Sequence, residues 1–193
     1  MPESPRPLRI IHVSDIHVWR YARNPLQLFS KRLWGMASLL AGRARKFRLE
    51  RLREVVERVQ GLNYDHLLIT GDLTTTALPV EFRAARDLLD PWLADVDRVT
   101  ILPGNHDRYT FQADRHRVFE SYFGRFAPRV AYPWLRGLDH ETAILGLDPT
   151  RAGITARGKL STAQLEEARA LIASGGSSLR RLIIACHYPI EAP

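Results

Sequence analysis

Three short apolar runs, each closed by side chains able to bind a metal ion, constrain this chain more than any other feature. Leu8-Arg9-Ile10-Ile11-His12-Val13, His66-Leu67-Leu68-Ile69-Thr70 and Val99-Thr100-Ile101-Leu102 are rich in branched residues and read as buried strands. The first runs into Ser14-Asp15-Ile16-His17, the second into Gly71-Asp72 and the third into Pro103-Gly104-Asn105-His106-Asp107. Taken singly, each block has an ordinary reading. Turns favour Gly, Asn and Asp, and a strand can end on a structural histidine. Taken together they do not, because helical patterns separate the strands. Strands joined by crossover helices run parallel, so their carboxyl ends converge. Asp15 and His17, two residues apart, are expected to point to one side of an extended backbone. One shared metal site accounts for three such strand ends better than three unrelated turns.

The helical patterns are legible. Leu49, Leu52, Val55, Val56 and Val59 predict a helix from about Phe47 to Gln60, with Gly61 after its end. Pro79 to Trp92 is expected to be a second, with Phe82, Ala85, Leu88 and Leu89 on its inner face. Phe111 to Phe123 is expected to be a third. Tyr132-Pro133-Trp134 reads as a loop and Thr142 to Leu147 as a strand closed by Asp148-Pro149. Ser161 is the expected N-cap of a helix from Thr162 to Ala173, with Gln164 completing a capping box. A flexible turn, Ser174-Gly175-Gly176-Ser177-Ser178, precedes a last apolar run, Leu182-Ile183-Ile184-Ala185-Cys186, which leads into His187. With 193 residues, no internal repeat and no linker, a single domain spanning 1–193 is expected.

Charge is placed unevenly. Between Arg20 and Arg53 lie ten basic residues and one acid, Glu50, so this segment carries more than the whole net charge of +7. Leu28, Phe29, Leu33, Trp34, Met36, Ala37 and Leu40 recur there near helical spacing, with Gly42 as a stop. The segment reads as a basic helical insert, 20–53. It is either a solvated, arginine-rich face or a surface for anionic partners, with peripheral membrane contact through Trp34 and the leucines. A nucleic-acid partner is not expected. The single cysteine, Cys186, excludes an internal disulfide and a cysteine-based zinc site. No apolar run approaches the roughly 18 residues of a membrane span. The first seven residues contain no apolar core of a secretory signal, so a cytoplasmic protein is expected.

The blocks Asp15-x-His17, Gly71-Asp72 and Gly104-Asn105-His106-Asp107, followed by the strand into His187-Tyr188-Pro189, resemble the signature blocks of the calcineurin-like metallophosphoesterases. Gly71-Asp72-Leu73-Thr74 followed by Leu78-Pro79-Val80-Glu81-Phe82 is most similar to the bacterial cyclic-nucleotide-phosphodiesterase-like branch. The resemblance implies an α/β fold, a four-layer αββα sandwich of mixed sheets flanked by helices. It implies a metal-dependent phosphohydrolase, a phosphodiesterase, acting on a small-molecule phosphoester. Its cofactors would be two divalent metal ions, such as Mn, Fe or Zn, that bind the phosphoryl oxygens and supply a hydroxide at neutral pH. Asp15, His17 and Asp72 would serve the first ion, Asp72 would bridge, and Asn105 and His187 would serve the second. His106 would face the substrate and stabilise or protonate the leaving oxygen, with Asp107 orienting its imidazole. His12, His66, His116 and His140 match no block and read as structural or surface residues. Cys186 should point away from His187, into the core.

The resemblance also has departures. Thr75 stands where purple acid phosphatases carry a tyrosine ligand, and Leu73-Thr74-Thr75-Thr76 differs from the Asp-Arg-Gly continuation of the protein Ser/Thr phosphatases. The family's fifth block, Gly-His-x-His, does not occur, so the C-terminal part of the fold is expected to be missing. The alternatives are a lipid-linked nucleotide pyrophosphatase working at the membrane surface and a truncated, non-catalytic remnant.

Overall fold

The computed structural model describes residues 6–22, 32–33, 35, 37, 49–152, 157–175 and 179–189. The chain begins with the parallel strand–helix alternation that the sequence predicts. Strand β1 (Ile10–Val13), helix α1 (Leu49–Gln60), strand β2 (His66–Thr70), helix α2 (Pro79–Leu89) and strand β3 (Val99–Leu102) follow one another. β2 pairs in parallel with β1 and β3, in the order β1-β2-β3. Short helices α3 (Phe111–Arg115) and α4 (Val118–Phe123) lead to a second sheet built of β4 (Trp134–Gly137), β5 (Thr142–Gly146) and β6 (Arg181–Ala185). β5 pairs antiparallel with β4 and parallel with β6, and helix α5 (Thr162–Ser174) makes the β5–β6 crossover.

Side chains alternate across each strand, and this sorts the core into layers. Leu67, Ile69, Val99 and Ile101 face Val56 and Val59 of α1, Phe82, Ala85 and Leu89 of α2, and Phe119 and Phe123 of α4. Leu68 and Leu102, on the opposite face, meet Trp134, Ile144 and Ala185 of the second sheet. The outer face of that sheet packs Leu145 and Leu147 against Ala168 of α5, with Leu135, Leu182 and Cys186 at the margin. Helices, sheet, sheet and helix therefore stack in the expected four layers of a mixed α/β fold. No helix among the described residues is long and apolar enough to cross a membrane.

Several local expectations need correction. Val55 is 44% exposed, because the α1 stripe runs through Leu49, Leu52, Val56 and Val59 and leaves Val55 beside it. The second helix ends at Leu89, and Asp90–Trp92 tighten into a 3₁₀ turn, since Pro91 has no N–H to continue the ladder. Phe111 to Phe123 is two helices, broken at Arg117, whose φ is 50°. Trp134 opens a strand where the sequence predicts loop. Ser161 does cap α5, its Oγ accepting from Gln164 N at 3.1 Å. The Gln164 side chain leaves the capping box, accepting from Asp148 N at 2.9 Å and donating to Asp148 O at 3.2 Å. The amphipathic helix expected from Leu28 to Leu40 rests mostly on residues outside those described, as do Trp34, Gly42, Phe47 and residues 176–178.

His66 is buried between the sheets, where its Nε2 meets Thr100 Oγ1 at 2.8 Å. Burial, then the Arg136 and Arg98 charges, hold its imidazole down to about 4 against the usual 6.5. The unfolded chain therefore takes up this proton below about pH 6.5 while the folded chain does not, so acid draws stability away between pH 6.5 and 4. The loss is expected to reach about 3 kcal/mol. Urea unfolding at pH 7 and pH 4.5 checks it: His66→Gln should fall less between the two pH values than the parent does. An equal fall in both would contradict this origin.

Candidate metal centre

Two glycines let the site form. Beyond β2, Gly71 turns with φ 84°, and a Cβ on it would lie 2.4 Å from Gly104 N. A Cβ on Gly104 would lie 2.1 Å from Asp72 Oδ1. The loops after β2 and β3 thus touch backbone to backbone, which only glycine at both positions allows. The loop after β1 joins them through Asp15 N to Gly71 O at 3.2 Å, His17 N to Asp72 O at 2.8 Å and Val18 N to Leu73 O at 2.8 Å.

Asp15, His17 and Asp72 all adopt the left-handed region, with φ of 57°, 50° and 53°. Such backbone costs on the order of 1–3 kcal/mol per residue and persists where the surroundings enforce it. This corrects the expected extended geometry: Asp15 and His17 lie beyond the end of β1, and the turn rather than strand alternation brings them to one side. His17 Nε2 lies 3.6 Å from both Asp15 Oδ1 and Asp72 Oδ2.

From the second sheet, the strand β6 delivers His187. Its Nδ1–H donates to Thr70 O at 2.8 Å, which fixes the ring and turns Nε2 toward Asn105 Oδ1 at 3.2 Å and Asp72 Oδ1 at 3.4 Å. Burial would lower the His187 pKa, but the hydrogen bond and charge of Asp72 outweigh it and raise it to about 9. Asp72 is held low in turn. Burial pushes it up, and the His187 hydrogen bond with the His106 and His187 charges pulls it below its usual range.

The donor atoms fall into two groups, each within 4.8 Å: His17, Asp72 and His106, and Asp15, Asp72 and His187. Asp72 belongs to both. Two ligands about 2.1 Å from one ion stand roughly 3–3.5 Å apart, close to the 3.2–3.6 Å separations of these nitrogens and oxygens. Buried imidazole nitrogens with carboxylate and amide oxygens form a donor set that suits divalent transition metals, so the residues fit such ions. The pairs that the resemblance implies stand at these separations, Asp15 and Asp72 beside His17, and Asn105 and Asp72 beside His187, and the two clusters add further neighbours. Asp15 lies with His187, and His106, expected to face the substrate, lies with His17, their rings 5.0 Å apart and edge to face.

Asp107 does something other than orient His106. Its carboxylate is 1% exposed and accepts from Leu73 N at 3.2 Å, Thr74 N at 2.9 Å, Thr74 Oγ1 at 3.0 Å and Gly104 N at 2.9 Å. It locks the loops after β2 and β3 together. Burial, then Asp72, pushes its pKa up to about 7 against those donors. The His106 imidazole is held elsewhere: Nδ1–H donates to Thr75 O at 2.6 Å, and Tyr109 stacks on the ring at 5.5 Å.

Sequence reasoning missed two supports. Arg108 forks onto Asp148 at 2.8 Å, Asp114 at 2.9 Å and Glu120 at 2.5 Å, tying the loop after β3 to the second sheet. The three carboxylates more than offset burial and raise its pKa. Glu81, fully buried, accepts from Thr76 N at 2.8 Å and Leu78 N at 3.1 Å. The Glu at the third position of α2, after Pro79, is the signal that could have found it. Cys186 lies as expected on the far side of β6, its Sγ donating to Tyr188 O at 3.1 Å.

Asp107→Asn removes acceptors from buried amides and is expected to destabilise by about 1–3 kcal/mol. Asp15→Asn, on a side chain 56% exposed, should change stability by under about 0.5 kcal/mol. Urea unfolding of both variants without added metal checks this contrast, and equal effects would contradict it. Gly104→Ala should displace Asp72 and abolish Mn²⁺ binding measured by calorimetry; retained affinity would contradict the close contact.

A stretch of 56 residues, 29% of this chain, is 38% identical to a "Probable cyclic nucleotide phosphodiesterase" of Vesicomyosocius okutanii subsp. Calyptogena okutanii (strain HA) and covers 23% of that protein's length. A family model described as calcineurin-like phosphoesterase matches residues 8–182, which include every site residue named above except His187. The chain belongs to the calcineurin-like phosphoesterases.

Proposed function

We propose that the chain is a metal-dependent phosphohydrolase whose substrate is a small phosphodiester. The observation that carries this reading is that Asp72 turns one carboxylate oxygen to His17 Nε2 at 3.6 Å and the other to His187 Nε2 at 3.4 Å, the arrangement a bridging carboxylate needs. Asp15, His17, Asp72, Asn105 and His187 would hold two divalent ions, from among Mn, Fe and Zn. Ions bound there would neutralise phosphoryl charge and provide a nucleophile from water at neutral pH. The name of the similar bacterial protein supports a diester over a monoester. The domain is read as one unit, with 20–53 as an insert.

The chain's own groups then divide the work. A carbonyl only accepts, so the bond to Thr75 O places a proton on His106 Nδ1. Nε2 is left as the nitrogen that faces the leaving oxygen and, when protonated, delivers a proton to it. His187 is fixed in the same sense by Thr70 O, leaving Nε2 as its ligand atom. Asp107 is a positioning residue: it keeps Gly104 and Leu73 at the spacing that puts Asp72 between His17 and His187.

Hydrolysis of an aryl phosphodiester with Mn²⁺ tests the reading. Asp72→Ala should abolish turnover and metal binding together. His106→Ala should lower turnover on the order of 10²–10³-fold while keeping its metal content. Equal loss of metal and turnover in His106→Ala would remove the assigned role of that residue, and no metal-dependent turnover in the parent would remove the reading.

A further inference from the structure

The basic stretch 20–53 reaches the site through Arg32. Its side chain is buried, with Nε donating to Thr76 O at 3.0 Å and Nη2 to Ala77 O at 2.9 Å. Both carbonyls belong to the turn between β2 and α2. Glu81 grips the same turn, taking Thr76 N at 2.8 Å, Thr76 Oγ1 at 3.1 Å and Leu78 N at 3.1 Å on one carboxylate oxygen. Ala77, between the two grips, has φ 53°, a conformation that alanine holds only when its surroundings impose it. The residue before this pair is Thr75, whose carbonyl accepts from His106 Nδ1 at 2.6 Å.

A second contact runs to the same imidazole. Gly35 packs so closely that a Cβ on it would lie 2.8 Å from Thr76 Cγ2 and 3.1 Å from the Tyr109 hydroxyl. Tyr109 is the ring stacked on His106. The segment read from sequence as a charged surface therefore abuts the two groups that hold the His106 imidazole, the Thr75–Ala77 turn and Tyr109.

We infer that Arg32 is a positioning residue for His106, fixing the ring through the Thr76 and Ala77 carbonyls and the adjoining Thr75 carbonyl. The inference rests on the role proposed above for His106. It gives the insert a part in the site that needs neither lipid nor nucleic acid.

Two measurements on the full chain test it. Nitrogen-resolved NMR of the histidine rings should show a hydrogen-bonded Nδ1 proton in the parent, assigned by its absence in His106→Gln. Arg32→Ala should shift or abolish that signal, and Arg32→Lys, which keeps the charge and can donate to one carbonyl, should restore it in part. With Mn²⁺ and an aryl phosphodiester, Arg32→Ala should lower kcat about 10–100-fold at unchanged KM and Mn²⁺ affinity. The same substitution made in His106→Ala should change kcat less than about 2-fold, since coupled residues are not additive. If Arg32→Ala does not fold, Arg32→Lys carries both measurements, with a smaller shift and loss. An unchanged Nδ1 signal, or an equal kcat loss in the His106→Ala background, overturns the inference. The NMR result stands whether or not the chain hydrolyses the diester, so it separates this inference from the functional reading.

Discussion

The site depends on one buried carboxylate. Asp107 gathers Leu73 N, Thr74 N, the Thr74 hydroxyl and Gly104 N onto two oxygens, and so holds the loops after β2 and β3 in backbone contact. Those loops would otherwise present buried N–H groups without partners, each costing on the order of 1–3 kcal/mol. Gly71 and Gly104 supply the clearance, since a side chain on either would strike the other loop. The lock places Asp72 where His106 N can donate to its Oδ1 at 2.8 Å and where His17 and His187 approach it from two sides.

Charge is handled by pairing at two levels. In the centre, two imidazoles face a buried carboxylate, and the raised His187 and lowered Asp72 are two views of one attraction. One layer out, Arg108 joins Asp148, Asp114 and Glu120, so the loop after β3 is fastened to the second sheet as well as to the first. The two sheets are held by apolar contact through Leu68, Leu102, Trp134 and Ile144. Through the Arg108 fork and His187 they are also held by polar contact at the site, which makes the relative placement of the sheets part of the site geometry.

The strands were legible because an apolar run that stops abruptly at Asp, His or Asn marks the point where a buried parallel strand leaves the core. His66–Thr70 and Val99–Leu102 form as read, and the four layers follow. Asp15, His17, Asp72, Asn105, His106 and His187 come together in space, as their placement at strand ends implies. Asp107 was legible as a site residue but not in its contacts, because its partners are mostly backbone amides, two of them in a loop 33 and 34 residues away, and amides leave no mark in a side-chain pattern. Arg108 and Glu81 were hidden for a similar reason: charged residues near a helix start read as solvated until the tertiary structure buries them. Trp134 escaped because a four-residue strand just after a proline carries little periodicity. Arg32 shows the limit of reading a charge run as one surface, since one member of the run can be buried among carbonyls.

The claim that two ions share Asp72 is tested most directly by electron paramagnetic resonance of the chain titrated with Mn²⁺. Two ions bridged by one carboxylate should give an exchange-coupled spectrum that saturates at two ions per chain and disappears in Asp72→Ala. A single uncoupled six-line signal saturating at one ion, or a coupled signal that survives Asp72→Ala, would contradict the shared centre.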